Sequence, residues 1–145
     1  MELWALMISI LAFLLSVFQF VRNSSRQKKE ATLIAYGDLQ KEVFSILNKY
    51  PDDLSKIEHM SDEWEEITIC LARIENFSVG INTNIYSFKI LNRLGGAFFI
   101  RQFKRLKPVI DLKRQKNVSS GNHYNEFEST VIKLKEHRQQ ARGER

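Results

Sequence analysis

Basic side chains are concentrated in one stretch of the chain, and phosphate binding is the chemistry they could perform. Between residues 101 and 116 the sequence has seven lysines and arginines but a single carboxylate, Asp111. Cations at this density can neutralise the phosphates of nucleic acid or of lipid headgroups. They do not all share one helical face, because two of them flank the apolar Phe103 and Leu106. A solvated helix surface is therefore the simpler alternative.

Basic residues also follow the apolar run at the start of the chain, and they extend the set of predicted phosphate contacts. Anionic lipid is the favoured source of phosphate, because the apolar run would already hold the chain at a membrane. Nucleic acid is the less expected alternative, and a steep salt dependence of binding would be its signature. The predicted contacts are Arg22, Arg26, Lys28, Lys29, Arg101, Lys104, Arg105, Lys113 and Arg114.

Acidic side chains form the counterpart of the basic stretch. Between residues 52 and 66 there are seven carboxylates and one cation, Lys56. The two stretches have opposite charges of equal size, so they could pair within one molecule or between two copies. Acids also bind divalent ions, but the calcium-loop pattern of spaced aspartates and a glycine is missing. Acids at a helix start are common, since they interact favourably with the helix dipole.

The residue types used in catalysis do not form a recognisable pattern. The three histidines, His59, His123 and His137, have no partner at metal-ligand spacing. The sequence also lacks a nucleophile elbow and a glycine loop that could hold phosphate. We therefore expect no catalytic residue, no metal, no cofactor, no small-molecule substrate and no enzymatic activity.

Polar residues in the middle of the chain form the other candidate site. Arg73 and Glu75 are two residues apart, so they cannot face each other on a helix. Polar side chains at a junction between helices usually cap helix ends. The alternative is a ligand cleft, formed by Arg73, Glu75, Asn82, Tyr86 and Arg93.

The elements that must position these residues are helices, since apolar residues recur at intervals of three and four almost throughout. Ser61 and Ser87 are predicted N-caps. A break or sharp bend is expected at Gly95-Gly96, and a kink or an early end at Pro108. Helices are predicted at about 27–50, 61–80, 88–94, 97–116 and 124–138, with loops at 52–60 and 119–122.

An almost unbroken apolar run over residues 3–21 precedes these helices. Nineteen helical residues span about 28 Å, close to the thickness of a bilayer core. A cleaved signal peptide would begin with basic residues and have a shorter apolar core, and a small domain rarely needs a helix that is apolar on every face. We therefore predict a retained membrane anchor. Four lysines and arginines follow the run and none precedes it, which places the C-terminal side in the cytoplasm.

The rest of the chain is long enough for one small domain. The predicted organisation is an anchor (3–21), a basic juxtamembrane segment (22–30), a helical bundle (31–138) and a polar tail (139–145). A single cysteine, Cys70, fits a reducing compartment. Whether the anchor continues into the next helix is left open by Asn23-Ser24-Ser25. The predicted fold class is all-α, with a single transmembrane helix followed by a small cytoplasmic bundle.

Two sequence patterns support a resemblance to a known family. They are Arg-x-Glu-x-Phe-x-Val-Gly-Ile-Asn, within the segment from Leu71 to Thr83, and Leu-Lys-Pro-x-Ile at 106–110. With them the chain resembles a family of small bacterial membrane-anchored helical proteins, known only as a domain of unknown function. The resemblance covers nearly the whole chain, including the anchor, and implies a bacterial origin and attachment to a membrane. It implies no activity and no site residue.

These observations favour a single-pass protein of the inner (plasma) membrane, with its N-terminus outside and its bundle in the cytoplasm. The bundle is expected to act as a protein-interaction or regulatory module, with membrane lipid and a protein partner or a second copy as its partners. One alternative is a membrane-perturbing effector of a bacterial or phage-encoded defence system. The other is membrane-tethered nucleic-acid binding through residues 101–116.

Overall fold

The computed structural model describes residues 2–116 and 123–143, and within them the chain is helical and has no strand. The predicted all-α fold, with one long apolar N-terminal helix and a small bundle, is confirmed. The loop predicted at 119–122 lies outside the described residues. The elements are α1 (Glu2–Leu39), a π-helical segment (Gln40–Phe44), α2 (Ser45–Leu47), α3 (Asp62–Asn82), α4 (Phe88–Lys116) and α5 (Asn125–Gly143).

The N-terminal helix passes from the apolar run into the bundle without a break. α1, the π-helical segment and α2 follow one another directly as one helical rod that ends at Leu47, and its part from Trp4 onward has 44 residues. The helix predicted over 27–50 is thus the second half of this rod, and it ends three residues early. Thr32 is the first buried residue of the rod, and from there onward the rod packs against the bundle.

The apolar stripes predicted from the spacing form the core. On the rod, Tyr36, Leu39 and Val43 are buried. Aromatic rings of α4 and α5 meet at the centre, where the ring of Phe127 lies 5.0 Å from that of Phe99. The remaining predicted stripe residues that are buried are Trp64, Ile67, Leu71, Ile74, Phe103, Leu106, Ile110, Tyr124, Val131 and Leu134. Burial of these side chains supplies the main free energy of folding.

Helix α3 begins at the predicted N-cap. The Oγ atom of Ser61 accepts a hydrogen bond from the backbone N–H of Trp64, at 3.1 Å. Asp62 and Glu63 lie in the first turn, where carboxylates interact favourably with the helix dipole. The preceding segment, 52–60, is a loop as predicted, but it contains hydrogen-bonded turns rather than the helical turn expected within it.

Helix α4 differs from the prediction, because it joins two predicted helices into one. The backbone leaves the helical region only at Gly95 (φ −155°, ψ 17°), so the expected bend is a kink rather than a break. Helix α4 also continues through Pro108 to Lys116, so the early end considered for that proline is wrong. Helix α5 runs to Gly143, through most of the segment predicted as a frayed tail.

Contacts between the helices define two ends of the bundle. The backbone N–H of Ser87, just before α4, donates to Oγ1 of Thr32 at 2.7 Å, which places the start of α4 beside the start of the buried part of the rod. Nη2 of Arg105 donates to the carbonyl oxygen of Leu47 at 2.7 Å, so α4 runs beside the rod and away from the apolar run. We call the end beside Thr32 the near end and the end beside Leu47 the far end.

Helices α3 and α5 run in the opposite direction, from the far end to the near end. The hydroxyl of Tyr50 bonds to Glu66 early in α3, whereas Lys28 bonds to Asn84 just after α3. Late in α5, the ring of His137 lies 5.9 Å from that of Phe88. Since the rod rises about 1.5 Å per residue, its end at residue 47 is roughly 39 Å beyond residue 21.

Candidate functional site

The first candidate feature is the exposed apolar part of the rod. Its most apolar window of 18 residues has a mean hydropathy of 2.2, and none of that window is buried in the bundle. By length and composition this helix could cross a membrane. Side chains such as those of Phe13 and Phe18 are 68% and 63% exposed, which in water would be a large unfavourable apolar surface.

Directly after this apolar part lie four predicted contact residues, which we call the basic collar: Arg22, Arg26, Lys28 and Lys29. All are exposed except Lys28, which is half-buried. Arg26 pairs with Glu30 one turn later, at 2.9 Å between Nε and Oε1. The other three make no ion pair with any described residue. The basic collar therefore keeps most of its positive charge available for an anionic partner.

Among the basic residues of 101–116, Arg105 is used inside the protein. Its side chain is 9% exposed and lies between α4 and the end of the rod. The guanidinium donates to the carbonyl oxygens of Leu47, Tyr50 and Pro51, and Nε lies 3.6 Å from Oδ1 of Asp52. Carbonyls at the end of a helix lack internal partners, and Arg105 supplies the donors.

Lys113 and Arg114 likewise hold α4 and α5 together. Lys113 Nζ donates to the hydroxyl of Tyr124 at 3.0 Å. Arg114 donates to the carbonyl oxygen of His123 and forms an ion pair with Glu128, both at 2.9 Å. Three of the five predicted contacts in this stretch therefore have structural roles, which leaves fewer donors for nucleic acid.

The other two predicted contacts, Arg101 and Lys104, are exposed and line a far-end groove. The guanidinium of Arg101 lies over the ring of Phe98, 5.1 Å from its centre. Lys104 has no hydrogen bond or ion pair with any described residue. Because the groove lies at the far end, these cations are roughly 39 Å beyond the apolar run, by the helical rise. Of the predicted lipid contacts, the basic collar is thus the set that lies directly beside the apolar run.

The far-end groove has a volume of about 600 Å³ and walls of opposite charge. Arg101, Lys104 and Arg105 form the α4 side, and Asp52 and Asp53 form the side contributed by the loop after the rod. Ser55 donates two hydrogen bonds to the carboxyl of Asp53, one from its side chain and one from its backbone N–H. These bonds lower the pKa of Asp53, which is ionised at neutral pH. The remaining lining residues are Asn48, Leu54, Gln102 and Pro108.

One wall of the far-end groove includes a residue that the sequence analysis missed. Gln102 is only 3% exposed, and its Oε1 has no hydrogen-bond partner in the described structure. A buried amide oxygen without a donor costs about 1–3 kcal/mol, so a donor from a binding partner or a water would be favourable there. A sequence signal existed, because Gln102 follows Phe99 by three residues and precedes Leu106 by four. It is a polar residue on an apolar stripe.

The five residues of the predicted polar cleft do not lie together; Glu75 and Asn82 lie at the start of α5. The carboxylate of Glu75 accepts hydrogen bonds from the backbone N–H groups of Glu126 and Phe127, at 3.0 and 2.8 Å. Asn82 donates to Oε2 of Glu126 at 2.7 Å and accepts from Lys133 at 2.8 Å. These bonds satisfy the N-terminus of α5 and attach it to α3, which is a structural role.

The other three cleft residues lie elsewhere. Arg73 forms an ion pair with Glu42 of the π-helical segment, and both are exposed. The ring of Tyr86 stacks on that of Phe77, with 5.3 Å between the ring centres. Arg93 is exposed on α4 and bonds to no described residue. The five residues therefore do not converge on one ligand.

Among the described residues, no group of three His, Cys, Asp or Glu side chains is arranged to hold a metal ion. His59 lies against Trp64, with 4.8 Å between the ring centres, and His137 is 3.2 Å from the amide nitrogen of Asn92. His123 is beside Tyr124. Cys70 is buried, and that burial raises the pKa of its thiol, which leaves it a poor nucleophile.

A hydrogen bond at the far end gives a pH-dependent prediction. The hydroxyl of Tyr50 donates to the carboxylate of Glu66, and this bond, followed by burial, raises the pKa of Tyr50 to about 12. The bond therefore stabilises the fold fully below pH 10, and the contribution is lost as the pH rises through about 12. We expect Glu66→Gln to bring the phenol titration back toward 10 in an ultraviolet absorbance titration.

Glu63→Gln is the matched control for this titration, because Glu63 raises the pKa of Tyr50 only by charge at a distance. Its effect should be clearly smaller than that of Glu66→Gln. Equal shifts in the two variants would show that charge at a distance, and not the hydrogen bond, controls this phenol.

Comparison with known proteins identifies one match. The family model described as a domain of unknown function (DUF4760) matches residues 6–134, which include most of the apolar run and most of α5. Searches of the curated proteins and of the solved structures found no significant match.

Proposed function

This chain belongs to the DUF4760 family, a domain of unknown function, and on the basis of its own structure we propose that it is a single-pass membrane protein with a non-enzymatic interaction module. The continuous rod is the observation that supports this proposal. Its first part is wholly exposed and apolar, whereas its last part is buried in the bundle. A partner that moves the bundle would therefore also move the membrane helix, since the rod contains no loop between them.

The charges beside the apolar run support one orientation. The basic collar, with its four lysines and arginines, directly follows the run. Lysines and arginines beside a span are retained on the cytoplasmic side. The proposal therefore places the bundle in the cytoplasm and the N-terminus outside, in the inner membrane of a bacterium.

The partner site in this proposal is the far-end groove. It faces away from the membrane, and its two walls present both signs of charge to a protein segment. The partner is thus a peptide segment with residues of both charges, either from another protein or from a second copy of this chain.

The membrane part is tested by replacing Leu14, which is 57% exposed in the middle of the apolar run. An arginine at the centre of a span costs about 3 kcal/mol relative to leucine. We expect the wild-type protein to stay in the membrane pellet after alkaline carbonate treatment and Leu14→Arg to appear largely in the supernatant. Ile34→Arg is the matched control, since Ile34 is 67% exposed on the same rod but lies outside the run. Extraction of the wild-type protein would overturn the anchor.

The groove is tested by a photo-crosslinking amino acid at Lys104 in intact cells. We expect one discrete adduct, which is lost when Arg101→Glu reverses the charge of the groove wall. A crosslinker at Ile132, which is 49% exposed on α5, is the control and should give no such adduct. An adduct of twice the monomer mass would identify a second copy as the partner. Failure to form any adduct at Lys104 would contradict the proposed site.

A further inference from the structure

Six basic residues come together at the near end of the bundle. Of these six, the sequence analysis assigned only Arg93 to a candidate site. They belong to two helices that are separated in the chain, to the start of α4 and to α5 from residue 133 onward. They are Lys89, Arg93, Lys133, Lys135, Arg138 and Arg142. With the basic collar they make ten cations, whereas the same segments contain two carboxylates, Glu30 and Glu136. A third carboxylate, that of Glu126, reaches the near end through its bond to Asn82. Ten cations and three carboxylates give these residues a net charge of +7, although the whole chain has only +5.

Contacts fix the height of these residues above the apolar run. Ser87 bonds to Thr32, which lies eleven residues or about 16 Å after Val21 on the rod. Arg138 donates to Oδ1 of Asn92 at 2.9 Å, so the late part of α5 is beside the start of α4. Asn92 is itself five residues after Ser87 and so about 8 Å farther from the apolar run, and the five residues from Arg138 to Gly143 lead back by the same distance. The near end is thus about 16 Å beyond Val21. Because a headgroup layer extends about 5–8 Å beyond the hydrocarbon core, the near end is about one Debye length, roughly 10 Å, from the headgroups.

Most of the positive charge at the near end is not cancelled inside the protein. Arg138 bonds to the neutral amide of Asn92, and Lys28 bonds to that of Asn84. Lys133 bonds to Asn82, whose amide also bonds to the carboxylate of Glu126. Among the described near-end residues, the only ion pair is that between Arg26 and Glu30. An uncancelled field of one sign attracts a surface of the opposite sign.

The near end also has an exposed apolar side chain, whereas the far end has charges of both signs. Ile85, in the connection between α3 and α4, is 62% exposed. At the far end, exposed carboxylates such as Asp52, Asp62 and Glu63 are balanced by the cations of residues 101–116. The excess positive charge is therefore at the near end, on the side of the apolar run. An anionic leaflet attracts the near end more strongly than the far end.

We propose that the near end docks on the anionic phospholipid headgroups of the membrane that the rod spans. The proposal rests on the membrane anchor proposed above, but it assigns a second contact, between the bundle itself and the leaflet. The six bundle cations supply the charge contacts, and a tilt of the rod brings them and Ile85 against the headgroups. Docking holds the far-end groove away from the membrane and fixes the tilt of the rod.

The test uses the full chain reconstituted in vesicles, with a fluorophore on an introduced cysteine. Cys70 is buried, so labelling goes to Ile85→Cys at the near end or to the control, Met60→Cys, which is 80% exposed at the far end. Quenching by a lipid with a spin label on its headgroup is compared in phosphatidylcholine alone and with added phosphatidylglycerol. We expect phosphatidylglycerol to raise quenching at residue 85 about twofold or more, and high salt to reverse it. Residue 60 should stay unquenched in all vesicles.

Charge reversal separates docking from insertion. The effect of phosphatidylglycerol on quenching at residue 85 should be lost in a variant that combines Lys89→Glu, Arg93→Glu, Lys135→Glu and Arg142→Glu. The control variant makes the same change of charge elsewhere and should keep that effect; it combines Lys41→Glu, Lys49→Glu, Lys56→Glu and Lys116→Glu. A carbonate-resistant protein with equal quenching in both lipids would overturn the docking proposal alone. A protein that carbonate extracts would overturn the anchor as well.

Discussion

Gly95→Ala is expected to lower the free energy of unfolding of the bundle by about 1–3 kcal/mol, the usual cost of overpacking a core. A Cβ atom at this position would overlap the ring and hydroxyl of Tyr36. Tyr36 is only 4% exposed, and its ring is held between those of Phe44 and Phe77, 6.5 and 6.2 Å away. The ring therefore cannot move aside without disturbing the core. Chemical denaturation in detergent, followed by the fluorescence of the buried Trp64, measures the loss.

Two further variants make this prediction specific. Gly37→Ala adds the same methyl group to the rod, where nothing lies within 4 Å of the new atom, so it should stabilise the helix by up to about 1 kcal/mol. Tyr36→Leu removes the hydroxyl and the ring that the new Cβ would meet. Adding Gly95→Ala to that background should therefore cost clearly less than in the wild type. An equal cost in both backgrounds would show that the kink of α4, and not the contact with Tyr36, requires glycine.

Arg105→Ala should lower the stability by about 2–4 kcal/mol, since each hydrogen bond from a charged group contributes about 1.5–3 kcal/mol. The variant removes the donors to the carbonyls of Leu47, Tyr50 and Pro51 and leaves them unpaired between α4 and the rod. The same bonds hold the loop wall of the far-end groove. The variant should therefore also lose the crosslinked adduct of Lys104, even at a temperature where the bundle is folded.

Lys104→Ala is the matched control, because Lys104 is the preceding residue, is exposed and bonds to no described residue. Its stability should stay within about 0.5 kcal/mol of the wild type, as for most surface substitutions. If Arg105→Ala were as mild as Lys104→Ala, the guanidinium bonds would contribute no net stability. Arg105→Lys should be intermediate, since an ammonium on a flexible stem cannot reproduce the fork of donors.

The local spacing of residues was enough to predict the helices and most of the core. Tyr36, Leu39 and Val43 were expected on one stripe and are buried together, and Ser61 was expected to cap α3 and does. The apolar run at 3–21 was evident for the same reason, because the hydropathy of a helix is a property of consecutive residues. Its continuity with the bundle was not evident, since Asn23-Ser24-Ser25 is compatible with both a helix and a hinge.

The use of each polar side chain was decided only by the tertiary structure. Arg105 and Lys104 are neighbours in one basic stretch, yet Arg105 holds the rod and Lys104 bonds to no described residue. Glu75 is bonded to the start of α5, about fifty residues later, by contacts that its own segment does not specify. The sequence thus determined which residues are helical, apolar or charged, because these properties depend on near neighbours. Hydrogen-bond partners, and the assembly of distant cations at the near end, depend on how the helices pack, and only the folded chain defines that.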